Sequence, residues 1–324
     1  MTRSLILLSI VLFACSSCSP FESSNNSGQQ ALPTFAKGPD GPKTLKQARD
    51  GFKTKLTRTG EKYGAPDQPD GKSFNLTKYK SSAGQLHAYI TPDPKDGEKR
   101  PAVIWITGGD CNSIGNIWEA GSSDNDQTAS PLQKAGFIMM YPSLRGGNDN
   151  PGRREGYLGE VDDVLAARKH LAALPYVDSD RIYLGGHSTG GTLALLVSEY
   201  SNAFRAVFSL GPIGNVAGYG QDYNYCSIDD EKEIGMRSPI YWLHGIKSPT
   251  FVFEGTDGSS NIESLQAMSA ASSNENTVFL EVSGHDHFSV IWPLCNLLVD
   301  KIKADTGKVS NIKISASEMT ALGN

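Results

Sequence analysis

Hydrophobic positions in this chain fall into two kinds of stretch: short unbroken runs, and longer segments in which they recur every three or four residues. The short runs are Ala102–Thr107, Gly136–Tyr141, Arg181–Leu184, Ala206–Leu210, Thr250–Glu254 and Thr277–Val282. Runs this brief and this continuous fit strands buried on both faces of a parallel sheet. Between them, Gly159–Leu174 carries Val161, Val164, Leu165, Leu171 and Leu174 at near-helical spacing. Thr192–Tyr200, Asn261–Ala271 and Leu294–Ala304 also read as helices. Strands alternating with helices predict an α/β fold built on a mostly parallel, doubly wound sheet. Upstream, Phe74–Lys80 and Gln85–Thr91 flank the turn Ser81-Ser82-Ala83-Gly84 and predict an antiparallel hairpin. Pro212–Lys247 breaks the rhythm and is expected to lie over the carboxyl edge of the sheet, where ligands bind in such folds.

The N-terminus follows a different pattern. Arg3 precedes an apolar run, Leu5 to Phe13, that ends at Ala14 and Cys15. A basic start, a short apolar core and a small residue describe a secretory signal. The run is shorter than the roughly 20 residues a membrane-spanning helix needs. Leu12-Phe13-Ala14-Cys15 resembles the lipobox of bacterial lipoproteins, which implies lipidation at Cys15 and a body exported to the cell envelope. Ser16 resembles the outer-membrane sorting residue of that group. The Ser- and Asn-rich segment that follows has too few apolar groups to offset its ordering entropy, and residues 15–35 read as a tether. The expected order is then an extension and hairpin over 36–100, a main body over 101–304 and a tail over 305–324.

Composition removes some function classes. A net charge of −5 without a basic run gives no footprint for nucleic acid. Cys111, Cys226 and Cys295 are too few and too irregularly spaced for a disulfide framework or a metal cluster, and buried free thiols are expected. No metal or organic cofactor is implied.

Candidate chemistry centres on Gly186-His187-Ser188-Thr189-Gly190-Gly191, directly after one apolar run and before a helical stretch. A G-x-S-x-G turn between strand and helix presents the Ser hydroxyl on strained backbone and aims the next N–H, here that of Thr189, at a developing oxyanion. The bland alternative is a Gly-rich turn with Ser188 as a helix cap. A nucleophilic hydroxyl needs a base, and the base needs an orienting carboxylate. In the α/β-hydrolase order both follow the nucleophile. His285 and His287 lie just after the last strand run; His287 is preferred because Phe288 and the final helical segment follow it. Asp257, in a tight loop after Thr250–Glu254, is the preferred acid, with Glu254 as the alternative. The glycines after Ala102–Thr107 point to a second oxyanion donor at Gly109 or Asp110.

The blocks Ala135–Gly147, Gly159–Leu174, Pro175–Arg181 and Gly186–Gly191 follow in an order and spacing that resembles the catalytic domain of the prolyl oligopeptidase family of serine peptidases and its single-domain esterase relatives. The resemblance covers roughly 100–303 and implies the α/β-hydrolase fold with Ser188, Asp257 and His287 as a triad. Thr107 stands where the family often carries His, and too few residues precede Arg100 to build the family's propeller. The expected activity is hydrolysis of an ester or peptide bond through a Ser188 acyl-enzyme, losing rate below about pH 6 to 7 as a His base protonates. Tyr219, Tyr223, Tyr225, Tyr241 and Trp242 are candidates to line an acyl pocket. The alternative class is a lipid-anchored, non-catalytic binding protein on a degenerate hydrolase body.

Overall fold

A computed structural model describes residues 32–61 and 63–323. Eight strands form one sheet: β1 (Asn75–Ser81), β2 (Gly84–Ile90), β3 (Arg100–Ile106), β4 (Ile138–Pro142), β5 (Val177–His187), β6 (Val207–Leu210), β7 (Thr250–Gly255) and β8 (Thr277–Val282). Their spatial order is β1-β2-β4-β3-β5-β6-β7-β8. The predicted hairpin is present as β1–β2, and β2 joins the main sheet by pairing antiparallel with β4. All other pairings within this sheet are parallel. The hairpin is therefore part of the body, not a separate extension.

Eight α-helices accompany the sheet among the described residues: α1 (Leu45–Arg49), α2 (Ser130–Lys134), α3 (Gly159–Ala172), α4 (Thr189–Tyr200), α5 (Glu231–Gly235), α6 (Ile262–Ala271), α7 (Ile291–Ala304) and α8 (Ala316–Leu322). Side-chain alternation along β3 shows why its sequence is apolar from Ala102 to Ile106. Ala102, Ile104 and Ile106 face a core shared with Val161 and Val164 of α3 and Leu193 of α4. Val103 and Trp105 face the opposite core, with Leu132 of α2 and Leu294 and Leu298 of α7. Both faces of the sheet are covered there, so none of the positions from Ala102 to Ile106 tolerates a polar side chain.

Two expected boundaries move. Residues 32–35, assigned to the tether, belong to the body: Phe35 stands edge-on to Tyr241 with ring centroids 5.6 Å apart. The segment assigned as a tail folds back, placing Ile312, Ile314 and Met319 in the second core. Its anchor is Asp305, whose carboxylate takes two Arg205 N–H bonds at 2.7 Å, the Tyr183 hydroxyl at 2.7 Å and the Asn311 N–H at 3.0 Å. Cys111, Cys226 and Cys295 are free and buried. No helix among the described residues is long and apolar enough to cross a membrane. Cys15 and the signal segment lie outside the described residues.

The strand order reverses between β3 and β5, since β4 lies on one side of β3 and β5 on the other. Loops leaving the carboxyl ends of two such strands diverge and open a crevice. Here they are the Thr107–Cys111 loop and the turn at Ser188.

Candidate active site

Ser188 joins β5 directly to α4 with φ 55° and ψ −117°, a left-handed conformation that is strained for a residue with a side chain. The turn is held by close packing on both sides. A Cβ on Gly190 would stand 2.3 Å from the Ile106 carbonyl oxygen, and one on Gly186 would stand 2.5 Å from the Gly190 carbonyl oxygen. Only glycine fits either place. The Ser188 N–H is donated to Leu210 O at 2.8 Å, which fixes the hydroxyl-bearing residue at the end of β6. Strain at one residue and clearance at two others are the geometry of a nucleophile elbow.

His287 comes to the same place from the loop between β8 and α7. Its backbone N–H is donated to Ser259 O at 2.9 Å, and its ring packs so closely on Gly211, the residue after Leu210, that a side chain there would collide with it. Of the two histidines weighed from the sequence, this is the one buried in the crevice. His285 turns away, with Nε2 bonded to Leu322 O at 3.0 Å, and ties the loop to α8.

Glu254, not Asp257, is the carboxylate bonded to His287. Its Oε2 lies 3.0 Å from His287 Nδ1. Glu254 is fully buried and also accepts the Gly255 N–H at 2.9 Å and the Asn261 N–H at 3.2 Å. These donors satisfy the carboxylate oxygens away from water. Asp257 is exposed, and among the described residues its carboxylate accepts only from the Thr256 hydroxyl at 2.7 Å. It touches the site through its backbone alone, donating its N–H to His285 O at 3.0 Å. The physical reason is position: Glu254 carries the last side chain of the buried strand β7, within reach of His287, and Asp257 lies past the strand end on the surface turn. With Nδ1 held by a carboxylate, the imidazole presents Nε2 as its free nitrogen.

Thr189 is the first residue of α4, and its hydroxyl is donated to Gly109 O at 2.9 Å, bringing the helix start and the loop after β3 together. Gly108 N–H is taken by Gln127 Oε1 at 2.8 Å. Among the described residues, the N–H groups of Gly109 and Asp110 meet no acceptor in the protein. The Asp110 carboxylate is turned aside by Arg154, which bonds both its oxygens, with Nη2 to Oδ2 at 2.8 Å. That pairing offsets a negative charge which would otherwise oppose an oxyanion in the crevice.

Aromatic residues flank the nucleophile. The Tyr219 hydroxyl is 2.8 Å from Thr192 Oγ1, and its ring stacks on Tyr157 at 5.9 Å and lies 5.8 Å from Tyr223. Tyr223 and Tyr225 border a cavity of about 360 Å³ that also reaches Asp110. Trp242 takes no part, being wholly buried with its indole N–H donated to Gly235 O at 2.8 Å. Among the described residues no cluster of three His, Cys, Asp or Glu is arranged to hold a metal ion.

An eight-stranded, mainly parallel sheet with a strained serine after its fifth strand defines this chain as an α/β-hydrolase fold protein. Residues 123–288, more than half of the chain, match the prolyl oligopeptidase family, and the chain belongs to it. It is 33% identical over 96 residues to the probable dipeptidyl-aminopeptidase B of Grosmannia clavigera, a match spanning 27% of this chain and 10% of that relative. Among solved structures, it resembles a puromycin-hydrolyzing peptidase of Mycobacterium tuberculosis at a TM-score of 0.58 and 18% identity, over 76% of this chain and 41% of that one. It also resembles the acylaminoacyl peptidase of Pyrococcus horikoshii at a TM-score of 0.57 and 16% identity, over 76% of this chain and 44% of that one. These two likenesses bear on the fold, and the chain spans less than half of either solved chain.

Proposed function

We propose that this chain is a serine hydrolase that cleaves ester or amide bonds through an acyl-enzyme on Ser188. The observation that carries the proposal is an elbow serine bonded to Leu210 O and, packed on the next residue Gly211, an imidazole whose Nδ1 is held by a buried carboxylate. In this mechanism His287 Nε2 takes the Ser188 proton as Oγ bonds to the substrate carbonyl carbon, and the carbonyl electron pair moves onto oxygen. Glu254 orients the imidazole and stabilises it once protonated. The Thr189 N–H and those of Gly109 and Asp110 are the donors available to the oxyanion. Collapse of the tetrahedral intermediate expels the leaving group, which takes the proton from His287. Water then attacks the acyl carbon with His287 again as base, returning Ser188 to its hydroxyl form.

Family membership supports a peptide or amide substrate, and the tyrosines beside Ser188 support an aromatic or apolar group on the acyl side. The test is covalent labelling by a fluorophosphonate probe, read by intact mass. One adduct on the wild type and none on Ser188→Ala is the expected outcome. An unlabelled, folded wild type would overturn the proposal and leave a binding role on a hydrolase body.

A further inference from the structure

His187, the residue before the nucleophile, is wholly buried. Its Nε2 lies 2.8 Å from His287 O. Its Nδ1 lies 2.8 Å from Gln127 Nε2, and Gln127 Oε1 accepts the Gly108 N–H at 2.8 Å. The second amide hydrogen of Gln127 goes to Asn125 Oδ1 at 2.7 Å. The chain of bonds therefore begins at a backbone N–H of the loop after β3 and ends at the backbone carbonyl of the proposed base.

The two ends fix the sense of every bond between them. A backbone N–H can only donate, so the group facing Gly108 is the Gln127 carbonyl, and the Gln127 amide faces His187. A backbone carbonyl can only accept, so His187 carries its proton on Nε2 and accepts at Nδ1. One tautomer of a neutral imidazole satisfies both neighbours. Burial and the neighbouring His287 lower the His187 pKa to about 3, in keeping with a ring that stays neutral. Its ring centroid is 4.5 Å from that of His287, so it supports the base by contact as well as by hydrogen bonding.

We infer that Gln127 and His187 are positioning residues that tie the oxyanion loop to the base loop, so that donor and base hold one fixed spacing around Ser188. Gly108 and His287 lie far apart in sequence and approach the crevice from opposite sides of the elbow, and no direct bond joins them among the described residues. With the tie cut, each loop still folds, but their spacing is no longer held. This loss falls on the transition state, where oxyanion and imidazolium exist together, more than on ground-state binding.

This inference rests on the Ser188–His287 reading of the site, and the experiment separates the two. His187→Phe keeps a buried ring against His287 and removes both hydrogen bonds. Gln127→Leu cuts the tie from the other end. Turnover of a p-nitrophenyl ester is measured for both, for the double variant, and for Ser188→Ala, below the thermal midpoint of each. The expected result is a fall in kcat of about 10- to 100-fold at nearly unchanged KM in either single variant. The double variant should lose little more than the worse single one, because a tie cut twice is cut once. Full kcat in folded His187→Phe, or losses that multiply in the double variant, would overturn the inference and leave the Ser188 reading intact. An active Ser188→Ala would overturn both.

Discussion

At the scale of single residues, the site turns on which carboxylate holds His287. Glu254→Gln preserves the shape of the buried side chain while replacing its charge, and Asp257→Asn does the same on the surface turn. The first should lower kcat by about 100- to 10,000-fold, by analogy with the loss of an orienting acid in other serine hydrolases. The second should stay within about 3-fold of wild type, since Asp257 reaches the site through its backbone N–H only. Steady-state kinetics on one ester decides it, and an inactive Asp257→Asn beside an active Glu254→Gln would reverse the assignment. The elbow was legible in the sequence because its glycines, serine and flanking elements are contiguous. The acid was not, because selecting between two carboxylates three positions apart requires knowing where β7 ends and which way its last side chain points. One signal was present: Phe251–Phe253 is wholly apolar, and a carboxylate directly after such a buried run demands partners. Gln127 gave no signal at all, being one amide in a polar loop whose partners are brought in by the fold.

At the scale of elements, the six apolar runs all appear as strands; Thr277–Val282 matches at both ends and the other five differ by a few residues. Arg181–Leu184 is the clearest extension, growing to Val177–His187 as β5: Val177 pairs with Arg100, and Asp178–Arg181 fall in a register shift before Ile182 pairs with Ala102. The hairpin was legible from alternation, but its membership of the main sheet was not, since pairing with β4 leaves no local mark. Residues 305–323 were the larger departure, and the bonds that hold them explain it. Burial pushes the Asp305 carboxyl up, but Arg205, the Asn311 N–H and the Tyr183 hydroxyl outweigh that and hold it at about 2. A depressed carboxyl stabilises the fold fully above its unfolded value near 4 and loses that contribution as pH falls through about 2. Asp305→Asn should therefore cost about 3 kcal/mol at pH 7, with the difference from wild type shrinking across that acid window. Urea denaturation at several pH values measures it, and a pH-independent difference would count against the ion pair as the cause.

At the scale of the whole molecule, the described residues form one hydrolase body whose crevice is bordered by the insertion and by the extended segment before β1. Thr57 of that segment donates its N–H to Tyr225 O at 2.8 Å, so the crevice wall is made from two distant parts of the sequence. We propose that this body is held at a membrane through Cys15. In a bacterial host the full chain should partition with membranes, and Cys15→Ser should move it to the soluble fraction; equal partition of the two would remove the anchor. The three buried thiols have a further consequence for such a body. Cys111 belongs to the core on the α3 and α4 face of the sheet and Cys295 to the core on the α7 face. Burial raises the pKa of both, so neither is reactive while the fold is closed. Cys226 shares the core of Cys111, so a thiol-alkylating reagent compares Cys111 with Cys295 as clocks for the two faces of the sheet. Equal modification rates at the two sites would mean that both layers open in a single cooperative event, and unequal rates would rank which layer breathes first.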